Sequence, residues 1–196
     1  MATVHDVAAA IVDRVGTMTA MKLEKLVYYS QAWHLARHRV TLFDDPIEAW
    51  REGPVIPALF QKHRGQYEVA AWSKGHPEAL SEIECESVNW VAREYGRFSA
   101  TQLSRMTHGE LPWRMARGPL PESAPSNERI NPEIMRNFYA RQIADAETAV
   151  VTASASSALE GVELDDAWQD RLRDVATGLI SADDLIAEEI SRIRGV

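Results

Sequence analysis

The 196 residues are enough for one sizeable core with an appendage, or for two small modules. Hydrophobic residues make up 45% of the chain and charged residues 26%, which excludes a wholly disordered protein. No apolar run approaches the roughly 20 residues of a membrane span, and no basic stretch followed by an apolar one opens the chain. Cys85 is the single cysteine, so an internal disulfide or a cysteine metal cluster is excluded. We therefore expect a globular, cytoplasmic protein.

The net charge of −8 is concentrated in residues 145–196. This segment holds twelve acidic residues and four arginines, whereas acidic and basic residues balance in the rest of the chain. Such a tail repels nucleic acid and membrane surfaces, and it is attracted to a basic partner or a basic nucleotide-binding cleft. A solvated helical face is the other interpretation of the same pattern.

The first two predicted elements are helices. Apolar residues at helical spacing predict a helix over Val4–Val15 that ends at Gly16. Thr19 can cap a longer helix after it. The inward face of this second helix is predicted to carry Leu23, Leu26, Val27, Ser30, Trp33 and His34.

The pattern changes in residues 40–55. Asp44-Asp45-Pro46 is typical of a turn, and the Gly53-Pro54 break after Ile47 and Ala49 predicts a short extended piece or a hairpin. A short helix is then predicted over residues 57–64, because proline is favoured at the first helical position.

Capping boxes indicate two further helices. Ser81-Glu82-Ile83-Glu84 predicts a helix that runs to Tyr95, and Ser99-Ala100-Thr101-Gln102 predicts a short helix that reaches Met106. Residues 118–132 are rich in Pro, Ser, Asn and Glu, so we expect an exposed loop there.

The last third is predicted to be helical. Asn131-Pro132 can begin a helix that passes through the Ala/Ser-rich stretch Ala144–Leu159 without a helix breaker before Gly161. Two short helices should follow, one over Asp165–Thr177 and stopped by Gly178, and one capped by Ser181. The first is predicted to point Trp168, Leu172 and Val175 inward, and the second carries the apolar residues Leu185, Ile186, Ile190 and Ile193. The predicted fold class is therefore mainly α, with a small β element in the first third.

The sequence contains no pattern of an active site. Its six histidines fall in no metal-ligand spacing, and there is no phosphate-binding glycine-rich loop or nucleophile elbow. The histidine and tryptophan residues are better interpreted as core and interface residues. We expect a protein that is not an enzyme and that needs neither a metal nor a cofactor.

Three ordered blocks carry a family resemblance over roughly residues 3–143. They are Met21–Tyr29 followed by Ala32–Leu35, then Ile47–Val55, then Leu103-Ser104 with Thr107-His108 and Pro112-Trp113. Together they resemble the Panacea domain of SocA-like antitoxins. The resemblance implies a compact, mainly helical antitoxin module, which in different systems is paired with unrelated toxins. We expect its motif residues to be structural: Lys25, Tyr28, Trp33, Trp50, Gly53, Pro54, Thr107, His108 and Trp113.

The tail resembles a second family. Ala158–Glu163 and the later run Arg171–Asp184 are similar to the VbhA-type antitoxins, small three-helix partners of Fic-domain AMP-transferases. Their shared pattern is Ser or Thr, three residues, Glu, then Gly or Asn, and this chain offers Ser156, Glu160 and Gly161. The resemblance implies a Fic-domain toxin as the partner. Further tail residues expected to contact it are Leu159, Trp168, Leu172, Leu185 and Ile186.

The spacing of this pattern has a physical meaning. Residues i and i+4 share a helix face, so Ser156 and Glu160 would point toward one target. The resemblance implies an arginine in the toxin that binds the γ-phosphate of ATP. A glutamate can form a charge-assisted, bidentate pair with such a guanidinium and take the place of the γ-phosphate. Gly161 would end the helix.

These resemblances predict two modules, a Panacea-like domain at residues 1–143 and a Fic-inhibitory segment at residues 144–196. Two alternatives are open. The chain could be a proteolytic adaptor or regulatory scaffold whose tail is a tether, or its Panacea surface could neutralise a different toxin, such as a nucleotide-modifying synthetase.

Overall fold

The computed structural model describes residues 2–177, residue 180 and residues 182–194, except the side chain of residue 193. The described part is mainly helical with two small antiparallel sheets, so the predicted fold class is confirmed. The chain divides into two compact units, Met1–Tyr139 and Ala140–Val196. The functional boundary after residue 143 stays a prediction.

The first helix begins and ends as predicted, and the second begins after its predicted cap, Thr19. Helix α1 spans Val4–Val15, and the side chains of Thr3 and Asp6 form a capping box at its start. Helix α2 spans Ala20–His38, and Thr19 caps it by accepting a hydrogen bond from the backbone N–H of Lys22 at 3.2 Å. Every residue from 23 to 36 is buried, so α2 is surrounded by the rest of the unit rather than packed through one face. The prediction that α2 buries a single face is therefore too narrow.

The β structure consists of two short pairs. Strand β1 is Met18–Thr19, β2 is Glu48–Trp50, β3 is Gly53–Val55 and β4 is Glu68–Val69. Strands β2 and β3 form the predicted hairpin, in which Glu48 lies opposite Val55 and Trp50 opposite Gly53. The two-residue pairing of β1 with β4 was not predicted.

Five helices follow α2 in the N-terminal unit or continue out of it. They are α3 (Pro57–His63), α4 (Glu82–Tyr95), α5 (Ala100–Gly109), α6 (Leu111–Arg117) and α7 (Pro132–Leu159), with one 3₁₀ turn at Pro77–Ala79. Both predicted capping boxes are formed, at Ser81 with Glu84 and at Ser99 with Gln102. Helix α5 extends past the predicted end at Met106, and α6 was not predicted at all.

The segment from residue 118 to 131 is only partly the exposed loop that was predicted. Its last residues pair with β2: the backbone N–H of Ala49 donates to the carbonyl of Glu128, and that of Ile130 donates to the carbonyl of Ile47, both at 2.8 Å. Ile130 is buried. A segment that is distant in sequence therefore extends along β2 as a third partner of the hairpin.

The core of the N-terminal unit is built around the aromatic residues of α2. The ring of Tyr29 stacks on Tyr95 with centroids 4.2 Å apart, and Trp33 packs edge-on against Tyr139 at 5.0 Å. The indole N–H of Trp33 donates to the hydroxyl of Tyr95 at 2.9 Å. Buried aromatic residues of this size dominate the burial of apolar area in a small domain.

The C-terminal unit has few buried side chains. Besides the end of α7 it contains α8 (Asp166–Ala176) and α9 (Ala182–Arg194). Trp168, Leu172 and Val175, predicted to point inward, are only half-buried. Arg171 pairs with Glu188, and Arg173 pairs with Glu147 at 2.9 Å. In the part of the chain that the structure describes, no helix is long and apolar enough to cross a membrane.

Candidate partner-binding sites

The segment Ser156–Gly161 forms the end of α7. The N–H of Gly161 donates to the carbonyl of Ala158 at 3.0 Å, and the N–H of Val162 donates to the carbonyl of Ser157 at 2.9 Å. Gly161 has φ +81°, a left-handed conformation that favours glycine. This arrangement is a Schellman motif. The prediction that Gly161 ends the helix is therefore confirmed.

Glu160 lies between Leu159, the last residue of α7, and Gly161. Its side chain and that of Ser156 are exposed, and among the described residues no cation lies within ion-pair distance of its carboxylate. A negative charge at a helix C-terminus is unfavourable, because the last carbonyl groups carry partial negative charge. The position of Glu160 thus contributes nothing evident to the stability of the helix.

The surroundings of Glu160 are strongly acidic. Residues 142–170 contain no lysine or arginine and seven acidic residues: Asp145, Glu147, Glu160, Glu163, Asp165, Asp166 and Asp170. A run of this length without a cation attracts a basic surface and repels an acidic one.

Large apolar side chains are exposed in the same unit. Leu159 is 91% exposed, and Val151, Val162, Ile186 and Ile190 are exposed as well. Of the predicted contact residues, Leu159 and Ile186 are therefore accessible, Trp168 and Leu172 are half-buried, and Leu185 is buried. Exposed apolar groups in one small unit are typical of a protein–protein interface.

Three tail residues of the VbhA-type interpretation cannot be placed. Gly178 and Ser181, the predicted helix stop and helix cap, lie outside the described residues. The same holds for the side chain of Ile193.

The three Panacea blocks meet at the β2–β3 hairpin, beginning with Lys25 and Gly53. The ammonium group of Lys25 donates to the carbonyl of Pro54 at 3.0 Å. Gly53 has φ +106°, and a Cβ atom there would lie 2.6 Å from Cε of Lys25 and 2.9 Å from Oγ1 of Thr107. Glycine is required both by the backbone conformation and by the close approach of these two side chains.

Helices α5 and α6 hold the hairpin from the other side. Ser104 Oγ donates to the carbonyl of Glu52 at 2.9 Å, and the indole N–H of Trp113 donates to the carbonyl of Trp50 at 2.9 Å. Arg117 donates to the carbonyl of Ala49 at 3.2 Å. The side chains of the third block thus satisfy backbone carbonyls of the second, which is a structural role.

A buried carboxylate on α2 completes the attachment of the hairpin. Glu24 accepts hydrogen bonds from the backbone N–H of Ile56 at 2.9 Å and from His63 Nε2 at 2.7 Å. Next to it, burial lowers the pKa of Lys25 to about 8, and the carboxylates of Glu24 and Glu52 oppose this shift.

A second carboxylate, that of the half-buried Glu110 at the start of α6, joins α2 to α7. Glu110 accepts hydrogen bonds from the hydroxyl groups of Tyr29 at 3.0 Å and Tyr139 at 2.6 Å, and the hydroxyl oxygens of Tyr139 and Tyr28 lie 3.3 Å apart. Burial raises the pKa of Glu110 to about 7, although both hydrogen bonds to Glu110 favour its charged form.

Sequence reasoning gave no role of their own to Glu24, Ser104, Glu110 and Arg117, although Glu24 and Ser104 lie within the quoted blocks. The available signal for Glu24 was a charged residue between the inward-facing Leu23 and Leu26, since such residues are almost never buried unless paired. Trp50 differs from its prediction, because it is half-buried rather than in the core, whereas Trp33 and Trp113 are buried.

Trp50 lines a cavity of about 610 Å³ at the hairpin, together with Arg51, Glu52, Val55 and residues 125–127. Its size is that of a small-ligand or side-chain pocket. Within the described residues, no group of three His, Cys, Asp or Glu side chains is arranged to hold a metal ion.

One comparison with known proteins matches part of the N-terminal unit. Searches of curated proteins and of solved structures found no match. The tail's likeness to VbhA-type antitoxins stays a prediction. Residues 23–114, which contain most of α2, the hairpin and α5, match the family model described as Antitoxin SocA-like, Panacea domain.

Proposed function

We propose that this chain is an antitoxin that binds a Fic-domain AMP-transferase toxin and blocks its ATP site with Glu160. The Panacea match at residues 23–114 supports the antitoxin role. The observation that carries the specific mechanism is the exposed carboxylate of Glu160, held at a glycine-terminated helix end without a cation nearby in the described part of the chain.

The chemistry of the block is a competition for one arginine of the toxin. The carboxylate of Glu160 forms two parallel hydrogen bonds with the guanidinium that otherwise binds the γ-phosphate of ATP. The displaced phosphate chain can then no longer place its α-phosphate in line with the attacking hydroxyl. A misplacement of about 1 Å costs on the order of a hundredfold in rate, so the block need not expel ATP completely.

Neighbouring apolar residues supply binding free energy that Glu160 itself does not. Leu159 and Val162 lie on either side of the Glu160–Gly161 turn and are exposed. Burial of a leucine side chain stabilises a complex by about 1.5–3 kcal/mol. It also removes water from the ion pair, which strengthens the interaction of the two charges.

The Panacea domain then acts as a second module of the antitoxin. Its buried, hydrogen-bonded motif residues maintain a rigid hairpin, and this is compatible with a further contact to the toxin or with stabilisation of the whole chain. A proteolytic adaptor and an antitoxin against a non-Fic toxin are the two rival functions, and the experiment below separates them.

The test uses the complex of the full chain with the protein encoded by the neighbouring reading frame. We expect Glu160→Gln and Glu160→Gly to leave the complex intact and to raise ATP-dependent AMP transfer by at least tenfold, because the charge-assisted pair is lost. Glu163→Gln is the matched control, since Glu163 is also exposed and lies beyond the helix end.

Three results would contradict the proposal. If an intact Glu160→Gly complex still shows no AMP transfer, another residue blocks the site. An equal effect of Glu163→Gln would show that general charge, not Glu160, is responsible. A partner with no AMP-transferase activity in any state would favour the rival functions.

A further inference from the structure

A cavity of about 470 Å³ lies beside α6 in the N-terminal unit, and we name it the α6 cavity. It is separate from the hairpin cavity and from the Glu160 segment. The residues that line it and bear on its chemistry are His108, Leu111, Trp113, Met115, Arg117 and Leu120.

Three of these residues form a stack. The rings of His108 and Trp113 are parallel within 15°, with centroids 4.1 Å apart, and Cζ of Arg117 lies 4.8 Å from the centre of the Trp113 ring. Trp113 is 2% exposed and Arg117 is 3% exposed. The polar groups on this side of the cavity are therefore held in fixed positions.

Arg117 is a buried cation without an anionic partner in the described part of the chain. Its terminal nitrogens donate to backbone carbonyls, among them those of Ala49 at 3.2 Å, Pro121 at 2.7 Å and Ala124 at 2.7 Å. Its Nε–H is buried and has no acceptor. A buried guanidinium is ordinarily paired with a carboxylate or phosphate, so this side chain lacks the partner its charge favours.

His108 presents a second unsatisfied atom at the same cavity. Its Nε2 is buried and has no hydrogen-bond partner. Burial lowers the pKa of His108, so the ring is neutral at pH 7 and one of its nitrogens carries a proton. A bound acceptor would satisfy Arg117 Nε–H and, in the matching tautomer, His108 Nε2.

The remaining lining residues are apolar and accessible. Leu111 is 46% exposed, Met115 is 56% exposed and Leu120 is 42% exposed. Their convergence on one cavity, next to buried polar groups without partners, is the combination expected of a ligand site. Arg114 adds a positive charge and Glu122 a negative one, so the lining keeps a net positive charge with His108 neutral.

We propose that the α6 cavity binds a carboxylate carried by an apolar segment of a partner protein. The carboxylate accepts hydrogen bonds from Arg117 and His108, and an adjacent apolar side chain contacts Leu111, Met115 and Leu120. The site belongs to the N-terminal unit and does not depend on Glu160 or on the type of toxin.

The direct test is a titration of the ¹⁵N-labelled full chain, followed at the Arg117 Nε–H resonance. The probes are N-acetylleucine, with a terminal carboxylate, and N-acetylaspartyl-leucinamide, with a side-chain carboxylate. N-acetylleucinamide is the matched neutral probe. We expect saturable shifts with a carboxylate probe and binding of the neutral amide about tenfold to a hundredfold weaker, which is the usual contribution of a charge-assisted hydrogen bond.

The two acidic probes distinguish a chain terminus from an acidic side chain as the source of the carboxylate. Equal binding of all three probes, or no shift of Arg117 with any of them, would overturn the proposal.

Variants locate the binding at this cavity. His108→Phe keeps an aromatic ring against Trp113 but removes the nitrogen, and Met115→Asp adds a repelling charge, so both should weaken binding. Glu122→Gln removes the one carboxylate among the lining residues named here and should strengthen binding several-fold. Val40→Asp is the control, because Val40 is 52% exposed and does not line the cavity. Unchanged affinity in Met115→Asp, or an equal loss in Val40→Asp, would contradict the assignment.

Discussion

Glu110 makes the stability of the N-terminal unit depend on pH. Its pKa is raised from the ordinary value of 4.5 to about 7, so the folded state holds a proton that the unfolded state releases. The stabilisation from this proton is complete below about pH 4.5 and is lost as the pH rises through 7. The loss is on the order of 3 kcal/mol, because each pKa unit corresponds to about 1.4 kcal/mol.

We expect Glu110→Gln to remove this dependence. The free energy of unfolding, measured by urea denaturation from pH 5 to 8, should fall less in the variant than in the wild type. The difference between the two proteins isolates Glu110, because the histidines titrate in both. Glu133→Gln, at an exposed position, is the control. Parallel pH profiles of wild type and Glu110→Gln would disprove the assignment.

Gly53 is required for steric as well as conformational reasons. Gly53→Ala should lower the free energy of unfolding by about 2–4 kcal/mol, because φ is +106° and the new Cβ would collide with Lys25 and Thr107. Gly65→Ala is the matched control, since Gly65 has φ +84° and no atom within 4 Å of a Cβ. It should cost only about 1 kcal/mol. Equal losses in urea denaturation would mean that the close contact at Gly53 is unimportant.

A substitution at the end of α7 can test whether the geometry of this helix end is needed for the proposed inhibition. Gly161→Ala places a Cβ at φ +81° in open space, at a cost of about 1–2 kcal/mol for the left-handed conformation. On the proposed function, we expect the inhibition constant for AMP transfer to rise roughly fivefold to thirtyfold. Gly16→Ala also places a Cβ at a positive φ, +80°, in open space, and should leave inhibition unchanged. Inhibition unaltered by Gly161→Ala would mean that the Schellman end does not position Glu160.

The helices were predictable where their ends carry a chemical signature. Thr19, Ser81, Ser99, Asn131 and Asp165 all cap the helices they were expected to begin. Helix α6 escaped prediction because it is one residue away from α5, although Pro112 in its first turn was a usable signal. The β1–β4 pair has only two residues in each strand, too few for an alternating pattern.

The candidate sites were less predictable than the elements. Ser156, Glu160 and Gly161 were proposed from a family resemblance, and their role as a site stays a prediction. The helix end at Gly161 was predictable because it is a local structure. The bonds from Ser104 to Glu52 and from Arg117 to Ala49 join residues more than 50 positions apart, and no local pattern contains that information. The carboxyl group of Glu110 likewise binds Tyr29 and Tyr139, which are 81 and 29 positions away.

At the scale of the whole molecule, the two units differ in their capacity to fold alone. The N-terminal unit contains nearly all of the large buried aromatic side chains, whereas the described part of the C-terminal unit has few buried residues. We expect residues 1–143 to unfold in one cooperative thermal transition, as followed by circular dichroism. Residues 144–196 alone should lose helicity gradually, because a segment of this size with so small a core is marginal. A sharp transition in the isolated tail would contradict this expectation.

The hydrogen bonds that fix the β2–β3 hairpin have a consequence during synthesis of the chain. Its carbonyls at Ala49, Trp50 and Glu52 accept hydrogen bonds from Arg117, Trp113 and Ser104, which are all synthesised later. A ribosome adds about 5–20 residues per second, so residues 48–55 leave it several seconds before the side chains that fix them. During that interval the early half of the chain is an unfolded substrate for proteases. We therefore expect a chain interrupted before about residue 117 to lack a folded hairpin and to be degraded.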